Sequence, residues 1–172
     1  MPLAQPASDD EPLDLRSKDQ DWLVSWHRPD DQPLGKRHGA AGVCLGPGGA
    51  LVLISDDGTL WDFPAGRPEG DETDEQTLRR EVREEACVEV TASRLLGYAR
   101  SECIGGHEVG LILVRSLWRA DVTIHDWEPQ FEIPHRLLIP NADLTSEALD
   151  RLTAFTGIHM RALVEAGLHV SG

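Results

Sequence analysis

The sequence predicts an α/β fold, on three observations. A capped segment at 74–86 carries one apolar stripe at helical spacing; apolar runs of strand length, bounded by Gly and Pro, lie on both sides of it; and a second helical periodicity closes the chain over 144–167. A helix with a single apolar stripe needs a sheet to bury it against. With 172 residues, 40% of them hydrophobic, the chain can build one core of ordinary size.

Residues 1–18 are rich in Pro, Asp, Ala and Ser and show little periodicity, which predicts a mobile N-terminal arm and leaves 19–172 as a single domain. Trp22, Val24 and Trp26 then alternate with Leu23 and Ser25 as in a short strand. Two Trp residues this close serve the core, stack a base, or form a contact between two copies of the chain, so a homodimer is among the expected partners. A turn-prone stretch follows at 28–35. Residues 40–45, the turn Gly46-Pro47-Gly48-Gly49 and residues 50–54 read as a hairpin within a central sheet. A further short strand is predicted at 60–63, delivering the chain into Pro64-Ala65-Gly66.

Thr73 followed three residues later by Gln76 is a capping box, and Asp74 and Glu75 place negative charge at the positive end of the helix it opens. Leu78, Val82 and Ala86 recur every four residues and form the buried stripe, while Glu81, Glu84 and Glu85 stand at i, i+3 and i+4 beside it. Carboxylates at this spacing repel one another, so a divalent cation is the expected neutralising partner. An oxygen-only ligand set points to Mg²⁺ or Mn²⁺.

Beyond this helix, apolar-rich segments at 93–103 and 108–120 flank Gly105-Gly106-His107 and predict two longer antiparallel strands with His107 in the loop. Residues 126–132 are polar and turn-prone, and 133–139 read as a final strand. Residues 144–167 predict one long helix or two, with Gly157 as the weak point and His159 and Met160 as packing residues.

Several function classes are excluded. No apolar run approaches membrane-spanning length, and the acidic start lacks the basic and apolar regions of a secretory leader, so a cytoplasmic protein with no membrane partner is expected. Cys44, Cys87 and Cys103 show no C-x-x-C spacing and suggest neither a disulfide framework nor a zinc site. A net charge of -14 argues against a nucleic-acid polymer as partner. A small nucleotide remains compatible, because bound cations can bridge it to carboxylates.

The stretch 66–88 resembles the signature box of the Nudix hydrolases: Gly, five residues, Glu, seven residues, Arg-Glu, an apolar residue, any residue, Glu-Glu, any residue, Gly, an apolar residue. Gly66, Glu72, Arg80, Glu81, Val82, Glu84, Glu85 and Val88 match in register, and Cys87 replaces the final Gly. A left-handed conformation there costs a non-Gly residue about 1 kcal/mol, which the helix end tolerates. The resemblance implies an α/β/α sandwich with a mixed central sheet and a loop-helix catalytic motif. It also implies hydrolysis of the diphosphate linkage in a nucleoside diphosphate joined to another group. Glu81, Glu84 and Glu85 would be metal ligands, with the Ala65 carbonyl beside them; Arg80 and Glu72 would orient the carboxylates. Glu132 is the general base that the resemblance suggests, with Glu84 as its substitute and Glu128 as a second loop candidate. Pro64-Ala65-Gly66 points to ADP-ribose-like substrates ahead of nucleoside triphosphates. Arg37, His38 and Arg100 are open to phosphate or base contact or to plain surface roles. The alternative to an enzyme is the same fold used as a non-catalytic nucleotide- or protein-binding module.

Overall fold

Residues 40–45 and 51–54 carry no polar side chain, and the computed structural model, which describes residues 3–129 and 133–172, buries every one of them. Two-sided burial requires cover on both faces of the sheet. The strands are β1 (Leu13–Ser17), β2 (Gln20–His27), β3 (Lys36–Leu45), β4 (Leu51–Ser55), β5 (Ala65–Gly66), β6 (Val88–Gly105), β7 (Ile112–Ile124) and β8 (His135–Ile139). They form one sheet in the order β1-β2-β6-β7-β3-β4-β8, with β5 paired to β3. The β3–β7 pair is parallel and the other pairs are antiparallel, so the sheet is mixed.

Side chains alternate between the two faces along each strand. Ala40 and Cys44 of β3 with Val52 and Ile54 of β4 face α1 (Asp74–Ala86), meeting Leu78, Val82 and Ala86. Ala41, Val43 and Leu45 with Leu51 and Leu53 face the opposite layer, where α2 (Ser146–Leu152) and α3 (Gly157–Glu165) supply Leu149, Ile158 and Leu163. The result is the α/β/α sandwich. Trp26 belongs to the second layer, 2% exposed and beneath the Arg161 guanidinium. No helix among the described residues is long and apolar enough to cross a membrane.

Four expectations are corrected. The arm is docked from Ala7 onward: β1 pairs with β2, the Ala7 N–H donates to the Gly157 carbonyl at 2.8 Å, and Arg161 donates to the Ala7 carbonyl and pairs with Asp9, each at 2.8 Å. Composition alone hides this, because the anchors are backbone groups and a distant Arg. Residues 60–63 make two isolated bridges instead of a strand. The Asp57 carboxylate accepts from the Thr59 and Leu60 amides at 2.8 and 3.0 Å, diverting into a turn the donors a ladder would need. The final strand starts at His135. Of the two C-terminal alternatives the chain takes two helices, since Thr145 and Thr156 each cap one; what is corrected is Gly157, which opens α3 instead of weakening its interior.

Candidate active site

Helix α1 begins where its sequence says. The Thr73 hydroxyl accepts from the Gln76 amide and the Gln76 side chain accepts from the Thr73 amide, at 3.2 and 2.9 Å. It ends at Cys87 in the left-handed region (φ 54, ψ 45), with the Cys87 amide donating to the Arg83 carbonyl. Burial of Leu78, Val82 and Ala86 against the sheet fixes the rotation of the helix. That rotation turns Glu81 and Glu85 toward the Ala65–Gly66 strand.

Arg80 organises the acidic side. Its Nε and Nη2 grip Glu72 in a two-point fork at 2.8 and 2.9 Å, Nη2 also donates to the Arg67 carbonyl at 2.9 Å, and Nη1 donates to Glu81 at 2.8 Å and Glu84 at 3.3 Å. All five N–H groups are thereby used. The Arg80 fork, with help from the Glu69 amide, holds the Glu72 carboxyl far below the usual range, at about 2.

Gly66 is required by contact, since a Cβ there would lie 2.1 Å from Cδ of Glu81. Next to it the Ala65 amide donates to Glu85 at 2.8 Å. Burial raises the Glu81 carboxyl. Burial first, then the neighbouring charges of Glu81 and Asp62, raise Glu85 to about 7 against the Ala65 amide and Arg115. Both carboxyls stay raised although Arg80 donates to Glu81 and Arg115 stands near Glu85, so their charge is only partly offset. Hard oxygen donors short of positive charge fit a divalent cation. Among the described residues no three acidic, His or Cys side chains already converge as a ready cage. The Arg80 Nη1 stands between Glu81 and Glu84, so the carboxylates must turn from Arg80 to take a cation.

Glu132 lies outside the described residues. Glu128 is exposed, and its carbonyl accepts from the Cys87 thiol at 3.3 Å. Arg37 donates to the Glu72 carbonyl and to Asp74, each at 2.8 Å, whereas Arg100 pairs with Glu102 on β6. His159 accepts the Thr156 amide on Nδ1, which leaves Nε2 to carry the proton toward Asp62 at 3.2 Å, while its ring stacks on Phe155. It is therefore both a cap and a packing residue.

Sequence reasoning passed over Arg115. This Arg sits between the buried Val114 and Ser116 in β7, donates to the His38 carbonyl at 3.2 Å, and carries a burial-lowered pKa with Asp62, Glu85, Arg67 and Glu81 as its charged neighbours. The available signal was a cation inside the largely apolar run 111–118. Burial, then Arg115, Arg67, Lys36 and Lys18, push His38 down to about 4.

Comparison with known proteins gives concordant results. Residues 35–148 match the family model of the NUDIX domain. The 8-oxo-dGTP diphosphatase of Proteus vulgaris is 33% identical over 93 residues, covering 51% of this chain and 83% of that protein. The fold is similar to that of a Bacillus subtilis pyrophosphohydrolase, with TM-score 0.65 and 22% identity over 90% of this chain and 96% of that one. It is also similar to the NUDIX domain of Shewanella oneidensis NrtR complexed with ADP ribose, with TM-score 0.57 and 18% identity over 81% and 90% of the two chains. At these identities the solved structures speak to the fold.

Proposed function

Because the chain belongs to the Nudix family of pyrophosphohydrolases, we propose that it uses Mg²⁺ or Mn²⁺ to hydrolyse the diphosphate linkage of a nucleoside diphosphate joined to another group. The observation that carries this reading is the pair of partly buried carboxylates, Glu81 and Glu85, held against Ala65 and Gly66 with their proton affinities raised. Glu81, Glu84, Glu85 and the Ala65 carbonyl are the groups that would hold the cation. When bound, it supplies charge neutralisation and acidifies water for attack on phosphorus.

The chain's own residues do the positioning. Gly66 lets Glu81 approach the loop backbone. The Arg80 fork on Glu72 ties the loop to the helix. Glu84 keeps 32% side-chain exposure against 16% for Glu81, which leaves it open to water, and we assign it the proton-accepting role.

Two substrate classes enter the test. Pro64-Ala65-Gly66 favours ADP-ribose-like compounds, and the relative named 8-oxo-dGTP diphosphatase favours nucleoside triphosphate derivatives. Release of phosphate, pyrophosphate or nucleoside monophosphate is measured over both classes with Mg²⁺, Mn²⁺ or EDTA. Turnover is expected only with metal, and Glu84→Gln should lower kcat by at least about 100-fold while the thermal midpoint holds. A folded wild-type protein that releases no product from either class overturns the reading.

A further inference from the structure

In a chain with 30 acidic and 16 basic residues, cations without counter-charges stand out. A cleft of about 620 Å³ opens beside the signature loop, between the β1–β2 hairpin and the start of β3. Lys18, Lys36, Arg37 and Arg67 line it. Arg37 is held by Asp74, whereas Lys18, Lys36 and Arg67 have no ion pair among the described residues. Glu108 is the one carboxylate on the wall, and Gln20 donates to it at 2.8 Å.

Two further features mark this wall. Lys18 and Asp19 form the two-residue connection of the hairpin with φ of 50 and 61, a left-handed pair in which Asn-Gly is the favoured choice. Strain of this kind persists only where the surrounding structure over-determines it, and the β1–β2 pairing fixes Lys18 at the mouth of the cleft. His38, on the same wall, lies among Arg115, Arg67, Lys36 and Lys18 and is held far below its ordinary value, first by burial and then by their charges. The cleft therefore reverses, locally, the sign of a strongly acidic molecule.

We propose that this cleft is a second anion subsite, which binds a terminal phosphate group of the substrate lying beyond the diphosphate that is cut. It rests on the proposed hydrolase reading and narrows it to substrates whose far end carries phosphate. Arg67 links the two places: it follows Gly66 directly, and its carbonyl accepts from Arg80. In this arrangement every Arg80 N–H is taken by protein groups, whereas the cations of this wall are open to a phosphate tail.

The test uses the full chain in EDTA, where no turnover occurs, and titrates inorganic tripolyphosphate and ribose 5-phosphate by calorimetry. Tripolyphosphate binding is expected, weakening steeply with salt. Lys18→Ala/Lys36→Ala should weaken it at least tenfold with the thermal midpoint unchanged, and Glu84→Gln should leave it intact. Preference for tripolyphosphate assigns the subsite to a polyphosphate tail; equal binding of ribose 5-phosphate assigns it to a phosphorylated sugar. Absence of binding by both, or binding indifferent to the double Lys variant, overturns the proposal even where nucleotides are hydrolysed. Tripolyphosphate binding without nucleotide turnover leaves the subsite standing and refutes the hydrolase reading instead.

Discussion

Replacing Glu85 with Gln should make the protein more stable and less active, and the size of the gain follows from the site. Glu85 is raised from 4.5 to about 7, first by burial and then by Glu81 and Asp62. Below the unfolded value the carboxyl is neutral in both states and nothing is lost. Between 4.5 and about 7 the folded protein holds a proton that the unfolded chain has released, so stability falls as pH rises through this window. At about 1.4 kcal/mol per tenfold difference in proton affinity, ionised Glu85 costs the fold on the order of 3 kcal/mol above the window. The Gln amide oxygen keeps the hydrogen bond from the Ala65 amide and carries no charge. Urea unfolding in EDTA should therefore show Glu85→Gln more stable than wild type by roughly 2–3 kcal/mol at pH 8, with the gap closing toward pH 4.5. Saturating Mn²⁺ should close it at pH 8 as well, since the cation stabilises only the protein that binds it. A difference that does not change with pH, or a less stable variant at pH 8, would refute the reasoning.

Two further outcomes test the loop and the helix end. Gly66→Ala drives a methyl group onto Glu81 and should lower kcat by about 100-fold, the scale expected when a reacting group moves by an ångström, with a fall in thermal midpoint measured alongside. Cys87→Gly releases about 1 kcal/mol of left-handed strain and gives up a buried thiol together with its contact to the Glu128 carbonyl. The two terms nearly cancel, so unfolding free energy should shift by less than about 0.5 kcal/mol and kcat/KM should hold.

What could be read from the sequence was what local chemistry decides. Thr73 and Gln76 define the start of α1 because both partners of the cap lie within four residues, and the 78–82–86 stripe sets its rotation for the same reason. The left-handed Cys87 was legible because one slot after a helix admits few conformations. The hairpin of β3 and β4 announced itself by its turn residues. Long-range partners were not legible. Nothing near Ala7 indicates that Gly157 and Arg161 hold it. Lys18, Lys36 and Arg67 are separated along the chain by up to 49 residues (67 − 18) and line one cleft although β6 and β7 stand between β2 and β3 in the sheet.

Charge placement explains how a protein of net charge -14 can serve a polyanionic substrate. The basic residue of the motif, Arg80, is engaged by Glu72, Glu81, Glu84 and the Arg67 carbonyl, so in this arrangement it orders the acidic side. Glu81 and Glu85, whose charge Arg80 and Arg115 offset only in part, call for a metal; Lys18, Lys36 and Arg67, short of anions, call for phosphate. These two unbalanced groups meet at the loop carrying Ala65, Gly66 and Arg67. A metal-bound diphosphate on one side of that loop, with a phosphate tail on the other, would satisfy both at once. Neither half alone accounts for the charges the fold leaves uncompensated on the other.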